Sequence, residues 1–556
     1  MTTANPSTTA TNSTTAYRVL VADKLADEGL ELFRKAGIAF DEKLGLKEDE
    51  LAAIIGEYDA MVCRSGVKAT AKVLAEPGKL RAIARAGVGV DNIDLDAATS
   101  RGVLVINTAE ASTLSTAEHA IALMMSLARK IPQADAHVRG GGWKRGAYQG
   151  TQLAGKTLGV VGLGRIGRTV ATRALALEMN VIGFDPFFAG ETALDGRVRM
   201  VRDFDEFLSS IDVITFHVPG GADTKHLLDK RRLFEIARPN LLVVNDSRGE
   251  VIDEFALAEA LKEKKIAGAA IDVFATEPPA KDHPLFGLAN VVLTPHLGAS
   301  TDEAQQAVAV AACEAIVGYL VRGEIRGAIN SGGLKLDLPE DELPFAELAR
   351  RIGTLLSGLT DTGFKTLTVR ASGSRAGKLL PTLLRLAAVE LLRPRLSGSV
   401  NVINVEKLAG QRGIELISIL EQQPPQGLVG DIVGVRVQSS DGTSHRILGT
   451  AYADRLPRVL RIDNFAMDMV PEGSMVIIQN RDQPGVIGFV GNTFGDAGVN
   501  IADMVISRDK QPNITTGVTT AMMVIKIDGT APPALLEKLR SKENITHVAA
   551  VTVGAR

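Results

Sequence analysis

At 556 residues the chain is too long for one hydrophobic core, and three or four domains are expected. Its residues are 45% hydrophobic and 23% charged with a formal net charge of −3, which describes a soluble globular protein and excludes the basic field that nucleic acid or an anionic membrane surface would require. Two cysteines, Cys63 and Cys313, are too few and too far apart for a disulfide framework or a metal site, so both are expected to be apolar fillers. No apolar run reads as a transmembrane helix.

In chain order, residues 1–16 are mostly Thr, Ala, Ser and Asn. They have neither the apolar stretch of a secretory signal nor the arginines of a transit peptide, so a disordered tail on a cytoplasmic protein is expected. From 17 to 106, β-rich runs at 17–22, 58–63 and 80–85 alternate with amphipathic segments such as 25–36, the pattern of βαβ units around a parallel sheet. A long helix is expected at 116–138, with Ile121, Leu123, Met124 and Leu127 on successive turns. A second alternating block follows, with strand signals at 157–161, 181–184, 213–216, 241–244, 269–272 and 291–294, as a doubly wound nucleotide fold requires. Another helix is expected at 301–320. It and the 116–138 helix are candidates for the two crossings between lobes. Gly332-Gly333 and the acidic stretch 336–344 mark a boundary into a mixed α/β region, and Pro471-Glu472-Gly473 marks the next. The remainder reads β-α-β-β-α-β, with strands at 475–478, 501–507, 521–527 and 547–553 and helices at 486–497 and 533–542, a ferredoxin-like order.

Gly162-Leu163-Gly164-Arg165-Ile166-Gly167 follows a strand and opens a helix. Gly162 suits the tight turn, Gly164 the approach of the backbone to a pyrophosphate, and Gly167 close helix–strand packing. The helix N-terminus offers its free N–H groups to the phosphate. Asp185, at the end of the next strand, can accept hydrogen bonds from ribose hydroxyls and would repel a 2′-phosphate, so NAD is expected over NADP. Gly87-Val88-Gly89 lacks such flanking elements and reads as a loop of the first lobe.

Three polar residues close strands of the second block: Arg248, Glu277 and His296. The carboxyl ends of such strands face the ligand crevice, so all three can converge between the lobes. A neutral imidazole at His296 suits removal of a hydroxyl proton, and Glu277 would orient the ring. A guanidinium at Arg248 suits two-pronged binding of a substrate carboxylate. The other histidines, His119, His217 and His226 among them, have no comparable setting and are expected to be structural.

These motifs, together with Arg85-Ala86-Gly87-Val88-Gly89-Val90-Asp91-Asn92, Asp272-Val273-Phe274-Ala275-Thr276-Glu277-Pro278 and Pro295-His296-Leu297-Gly298-Ala299-Ser300-Thr301, resemble the D-isomer-specific 2-hydroxyacid dehydrogenases. The likeness runs from residue 17 to the C-terminus. Residues 343–353 and 400–405 look like the intervening domain of that family's long branch, and 480–486 and 495–500 look like an ACT domain. The resemblance implies two Rossmann-like lobes, an α+β intervening domain and a ferredoxin-like ACT domain. Their implied extents are 17–114 with 297–331 for the substrate-binding domain, 115–296 for the NAD-binding domain, 332–471 for the intervening domain and 472–556 for the ACT domain.

The resemblance also implies catalysis by Arg248, Glu277 and His296. NAD would be held by Gly162, Gly164, Arg165, Ile166, Gly167, Asp185 and Asp272, with Asp272 beside the nicotinamide. Arg64, Ser65 and Gly66 match the substrate loop, Arg85 a second basic position, and Arg145 a segment reaching the neighbouring subunit's site. Positive charge there implies a phosphorylated substrate, D-3-phosphoglycerate, oxidised to 3-phosphohydroxypyruvate in the first step of phosphorylated serine synthesis. Paired ACT domains in a homodimer or homotetramer imply L-serine as an effector, held by Asn480, Asp482 and Asn500. The motif departs from the usual form, with Asp482-Gln483-Pro484 where a basic residue commonly precedes the proline. Two other readings remain: a reductase of another 2-oxo acid such as 2-oxoglutarate or glyoxylate, and an NAD(H)-sensing binding protein, which the full Arg248, Glu277 and His296 set disfavours.

Overall fold

Val19, Leu20 and Val21 are buried in succession, as are Ala60 to Cys63. A strand apolar at every position is covered on both faces, and such strands belong to parallel sheets. The computed structural model, which describes residues 17–360, 363–396, 398–452, 455–509 and 519–554, contains two such sheets. The expected tail at 1–16 lies outside the described residues. In the first lobe the five parallel strands lie in the order Ala39–Glu42, Arg18–Val21, Ala60–Cys63, Ala82–Arg85, Leu104–Asn107. This is the 2-1-3-4-5 winding of an open α/β sheet.

The second lobe carries eight strands where six were expected. Val198–Met200 adds in parallel beyond Asn180–Phe184, and Thr192–Ala193 pairs antiparallel at the rim. Both are too short to leave a periodic signal. With Val198–Met200 in place the parallel strands follow the order 3-2-1-4-5-6 of a dinucleotide fold, extended by Val291–Leu293.

The helix expected at 116–138 is two helices, Thr113–Arg129 and Ile131–Arg139. Lys130 takes a left-handed conformation (φ 53°) and Pro132 opens the second helix, so the hydrogen-bond ladder stops between them. The helix after Ser300 runs Asp302–Val317 and continues as a wider turn through Gly318–Arg322. Contrary to the sequence reading, residues 302–322 are long and apolar enough to cross a membrane by composition, with mean hydropathy 1.5. Here Val308, Ala309, Ala312 and Ile316 are spent instead in the core of the first lobe. Gly29 lets the helix Asp27–Lys35 approach so closely that a Cβ would meet the Ala309 backbone at 2.8 Å. Asn330 closes the return by hydrogen-bonding to Val103 and Val105.

The third sheet has six strands, Glu415–Glu421, Phe364–Ser372, Ile432–Ser439, Ser444–Ala451, Pro457–Ile462 and Phe465–Met469 in spatial order, and is mostly antiparallel. The fourth is antiparallel, in the order Ile501–Arg508, Thr520–Ile527, Gly473–Arg481, Ile545–Val553, with helices Val486–Asp496 and Pro533–Arg540: the ferredoxin-like arrangement expected. One face of this last sheet does not end its own domain. Met475, Ile477, Met522, Val524, Val551 and Val553 bury into the same cluster as Phe345, Ile352 and Leu356 of the helix Leu343–Leu359.

Candidate active site

Val160 and Val161 end a buried strand, and the chain turns at Gly162 with φ 86°, a left-handed value that favours glycine. Gly164 caps the helix Arg165–Ala176, with nothing within 4 Å of where its Cβ would stand, and Gly167 packs against the Gly162 carbonyl. That open, N–H-lined cradle fits a pyrophosphate. Asp185 Oδ2 accepts from Leu163 N at 3.0 Å, which holds the carboxylate over the glycine loop where ribose hydroxyls would lie. Ile166 packs into the lobe, while Arg165 reaches across to Glu110 at 2.5 Å.

At the carboxyl ends of the strands, His296 Nδ1 lies 2.8 Å from Glu277 Oε2. Glu277 Oε1 accepts from Phe274 N at 3.1 Å, so the carboxylate itself is fixed. With Nδ1–H donated to Glu277, Nε2 of His296 presents a lone pair to the cleft. A cavity of about 430 Å³ opens beside the pair, lined by Phe274, Pro278, Phe286 and Leu293.

Asp272 organises the turn that carries His296. His296 is left-handed (φ 56°) and its N–H donates to the Asp272 carbonyl at 2.8 Å. The Asp272 carboxylate then accepts from Leu297 N at 2.8 Å, Gly298 N at 2.9 Å and Thr294 Oγ1 at 2.5 Å, with His119 Nε2 at 3.2 Å. Burial works to raise its pKa, but His119, Thr294 and the Leu297 N–H outweigh it and hold the carboxyl at about 2.

Arg248 donates from Nε to Asp91 Oδ2 at 3.1 Å and from Nη1 to the Ser247 carbonyl at 2.6 Å, and its Nη2 lies in ion-pair contact with the same Asp91 oxygen at 3.0 Å. Arg85 stands nearby, and its Nε has no hydrogen-bond partner. Burial lowers its pKa, and the charges of Arg248 and Arg64 lower it further. The loop Arg64-Ser65-Gly66 is clamped from below: Asp23 accepts from Arg64 N at 2.6 Å, and Asn92 donates to the carbonyls of Arg64 and Val67, both at 2.8 Å. The fold therefore gathers Arg64, Arg85 and Arg248 around one space. It does not bring Arg145 there. That residue sits in the turn Arg145–Tyr148 over the ring of Trp143, which is 73% exposed.

Sequence reasoning missed several members of this site. His119, expected to be structural, touches Asp272, and Asp91 holds Arg248. His217 and Asp246 form a second buried pair, Nδ1 to Oδ1 3.5 Å, behind the strand ends. Burial depresses the His217 pKa to about 3, and its Nε2 meets Thr215 Oγ1 at 3.0 Å. Burial, with Asp272 nearby, pushes the Asp246 carboxyl well above its usual range. The contacts of His119, Asp91 and Asp246 join residues far apart in the sequence, so no local motif announces them.

In the ACT fold Asn480 is buried, donates to the Arg481 carbonyl at 2.7 Å and leaves Oδ1 unpaired. Asp482 pairs with Arg508 at 2.9 Å. Asn500 donates to Asp528 at 2.7 Å at the other end of the sheet, because Ile501 aligns with Ile527 and Arg508 with Ala521. A strand of that length separates the two groups by about 25 Å. Within one chain the three residues do not meet.

The fold and the cleft define an NAD-dependent dehydrogenase of 2-hydroxy acids, and the comparisons agree. Residues 121–298 match the D-isomer specific 2-hydroxyacid dehydrogenase NAD binding domain. Residues 343–463 match the D-3-phosphoglycerate dehydrogenase intervening domain, and 474–544 an ACT domain. The chain is 40% identical to D-3-phosphoglycerate dehydrogenase of Archaeoglobus fulgidus over 532 residues, 95% of this chain and 98% of that protein. It is 37% identical to the Bacillus subtilis enzyme of the same name, over 96% of this chain and 99% of that one. Among solved structures, a protein from Thermus thermophilus superposes with TM-score 0.52 at 32% identity, and a glyoxylate reductase from Paecilomyes thermophila with 0.53 at 28%. They cover 56% and 57% of this chain, and 99% and 98% of their own lengths. The chain belongs to the D-3-phosphoglycerate dehydrogenase family.

Proposed function

We propose that this enzyme oxidises D-3-phosphoglycerate to 3-phosphohydroxypyruvate, opening a route to serine. The observation that carries the proposal is the cluster of Arg64, Arg85 and Arg248, for which Asp91 is the only carboxylate partner among the described residues. A substrate with a carboxylate at one end and a phosphate at the other satisfies such a cluster, whereas lactate or glyoxylate would leave Arg85 unpaired in a buried place.

Arg248 binds the substrate carboxylate in place of Asp91, and Arg64 and Arg85 bind the phosphate. This directs the C2 hydroxyl toward His296 Nε2. His296 removes the hydroxyl proton, and Glu277 stabilises the imidazolium that forms. Asp272, through its hydrogen bonds to 294, 297 and 298, keeps the ring in register with the strand ends. Gly162, Gly164, Arg165, Ile166 and Gly167 would hold NAD, with Asp185 toward its ribose, and the bound cofactor would supply the acceptor for the C2 hydride.

The enzyme is further proposed to be a cytoplasmic homo-oligomer with L-serine as its effector. A pocket that uses Asn480, Asp482 and Asn500 together needs two ACT domains side by side, since these residues lie at opposite ends of one sheet. Arg145, beside the exposed Trp143, is then free to reach a neighbouring subunit's cleft.

The test is NADH formation from D-3-phosphoglycerate by purified protein, against D-lactate, D-glycerate and D-2-hydroxyglutarate, with and without L-serine. A kcat/KM at least tenfold higher for the phosphorylated acid is expected. Higher activity on D-2-hydroxyglutarate would overturn the substrate, and bound NADH without turnover on any acid would overturn catalysis.

A further inference from the structure

Asn245-Asp246-Ser247-Arg248 closes the strand Leu242–Asn245 as one stitched unit. Asn245 donates to the Arg248 carbonyl at 2.9 Å, and its Oδ1 accepts from Ser247 N at 3.1 Å and Ser247 Oγ at 2.9 Å. Asp246 is the member whose side chain turns back into the fold. Its carboxyl is fully buried, and neither oxygen has a hydrogen-bond partner among the described residues. Such groups are rare, because their desolvation goes uncompensated.

His217 faces it. Phe216 aligns with Val161 on one side and with Asn245 on the other, so the residues that follow these three strands meet behind the cleft. His217 N donates to the Val161 carbonyl at 2.8 Å, and a Cβ on Gly162 would stand only 2.5 Å from the His217 carbonyl. The ring meets Thr215 Oγ1 through Nε2 at 3.0 Å and turns Nδ1 to Asp246 Oδ1 at 3.5 Å. A continuous path of contacts therefore runs from the cofactor turn at Gly162 through His217 and Asp246 to Arg248.

The other titratable groups around the pair are Asp272, at the adjoining strand end, and His119, which touches Asp272 from the helix Thr113–Arg129. Arg248 sends its guanidinium away from the pair, to Asp91. Burial, and after it the charge of Asp272, keep the proton on Asp246, while burial keeps His217 neutral. The pair thus lies against the cofactor turn with no charge to oppose a pyrophosphate.

We propose that Asp246 and His217 are positioning residues that couple the cofactor turn to Arg248, so that a pyrophosphate seated at Gly162 sets the reach of the guanidinium toward the substrate carboxylate. The inference rests on the carboxylate role proposed for Arg248. Asp246 acts as the uncharged acid, through its shape and its contact with the ring. Coupling of this kind is reciprocal: the hydroxy acid tightens NADH as much as NADH tightens the hydroxy acid.

Three variants of the full-length protein test it. Asp246→Asn keeps the shape without the charge, Asp246→Ala cuts the path, and Thr215→Val releases the ring with both members in place. NADH binding is followed by fluorescence, alone and with saturating D-3-phosphoglycerate or D-glycerate, since NADH and a hydroxy acid cannot react with each other. Wild type is expected to bind NADH about fivefold tighter with the acid present, and Asp246→Asn to keep that factor. Asp246→Ala and Thr215→Val should lose most of it, with KM for the acid raised about fivefold and kcat little changed. In urea, Asp246→Asn should outlast wild type at pH 8 and match it at pH 4, because only the unfolded wild-type chain releases the proton. Coupling with D-glycerate and none with D-3-phosphoglycerate would support this proposal and remove the phosphorylated substrate. An Asp246→Asn variant as impaired as Asp246→Ala would show that a carboxylate is needed, and overturn it. So would wild-type coupling in both Asp246→Ala and Thr215→Val, or no coupling in wild type with either acid.

Discussion

Arg248 is held by Asp91, a residue of the other lobe, through a hydrogen bond from Nε of 3.1 Å and an ion-pair contact from Nη2 of 3.0 Å to the same carboxylate oxygen. Asp91 is largely exposed, so the pair contributes little to stability, about 0.5–1 kcal/mol. It does stand where the carboxylate of the substrate would bind. Asp91→Ala is therefore expected to lower KM for the hydroxy acid by about threefold with kcat nearly unchanged. Steady-state kinetics decides it, and a raised KM would mean that Asp91 aims Arg248 instead of competing with the substrate.

The His296–Glu277 pair should behave as one unit. His296→Ala is expected to reduce kcat by about 10³-fold while NADH binding, followed by fluorescence titration, stays intact. Glu277→Gln keeps a hydrogen bond to Nδ1 but removes the charge that stabilises imidazolium, so kcat should fall by about 10²-fold. Loss of NADH binding in either variant would point to a disturbed fold.

Asp272 accepts from Thr294, Leu297 and Gly298, so it acts on the site through the turn holding His296. Asp272→Asn sets an amide N–H against a backbone N–H and is expected to cost about 3 kcal/mol in denaturant unfolding. Activity should fall with it. At pH 7 this carboxylate stabilises the fold because its pKa of about 2 lies below the ordinary 3.8; that contribution is present above pH 3.8 and is lost as pH falls through 2.

His217 adds a second acid limb at higher pH. Its folded pKa of about 3 lies below the ordinary 6.5, so between those values the unfolded chain binds the extra proton and stability falls as pH is lowered. The slope from this group approaches about 1.4 kcal/mol per pH unit. Its neighbour Asp246 has the opposite sign, because the folded state keeps a proton that the unfolded chain releases above 3.8. His217→Gln should make the slope of stability against pH between 4 and 6 less positive, by up to about 1.4 kcal/mol per pH unit, measured by urea unfolding. An unchanged slope would show that the ring is protonated in the fold.

Asp185 is aimed by Leu163 N over the cofactor loop. Asp185→Ala removes the charge that opposes a 2′-phosphate, so the NAD-to-NADP ratio of kcat/KM should fall at least tenfold. Competing both cofactors in one assay measures it directly.

Much of this was legible in the sequence, for reasons particular to each element. The strand Thr157–Val161 is a short continuous apolar run and the glycines after it answer a local turn requirement, so its bounds agree with expectation. His296 and Glu277 could be read because both follow strands of one sheet, in the turns after Gly268–Ile271 and Val291–Leu293, and lie only nineteen residues apart. The His217–Asp246 pair, the Asp91 contact and the role of His119 depend on which strands become neighbours, which periodicity does not encode. Lys130 shows a different blindness: the apolar stripe continues across it, while one left-handed residue ends the helix. Asn500 resembled its motif well, yet only the strand register reveals that its own chain carries it far from Asn480.

The helix Leu343–Leu359 and the last sheet share their interior, with Met475, Ile477 and Val551 packed among Phe345 and Leu356. A cut at the Pro471-Glu472-Gly473 stretch, which looks like a natural seam, would slice through that interior and leave oily surfaces on both fragments. Anyone wishing to transplant the C-terminal module onto another enzyme would therefore have to take residues 343–554 as one graft. Shorter pieces should emerge as insoluble matter, and any strain felt by the last sheet is delivered straight to that helix with no slack linker to absorb it.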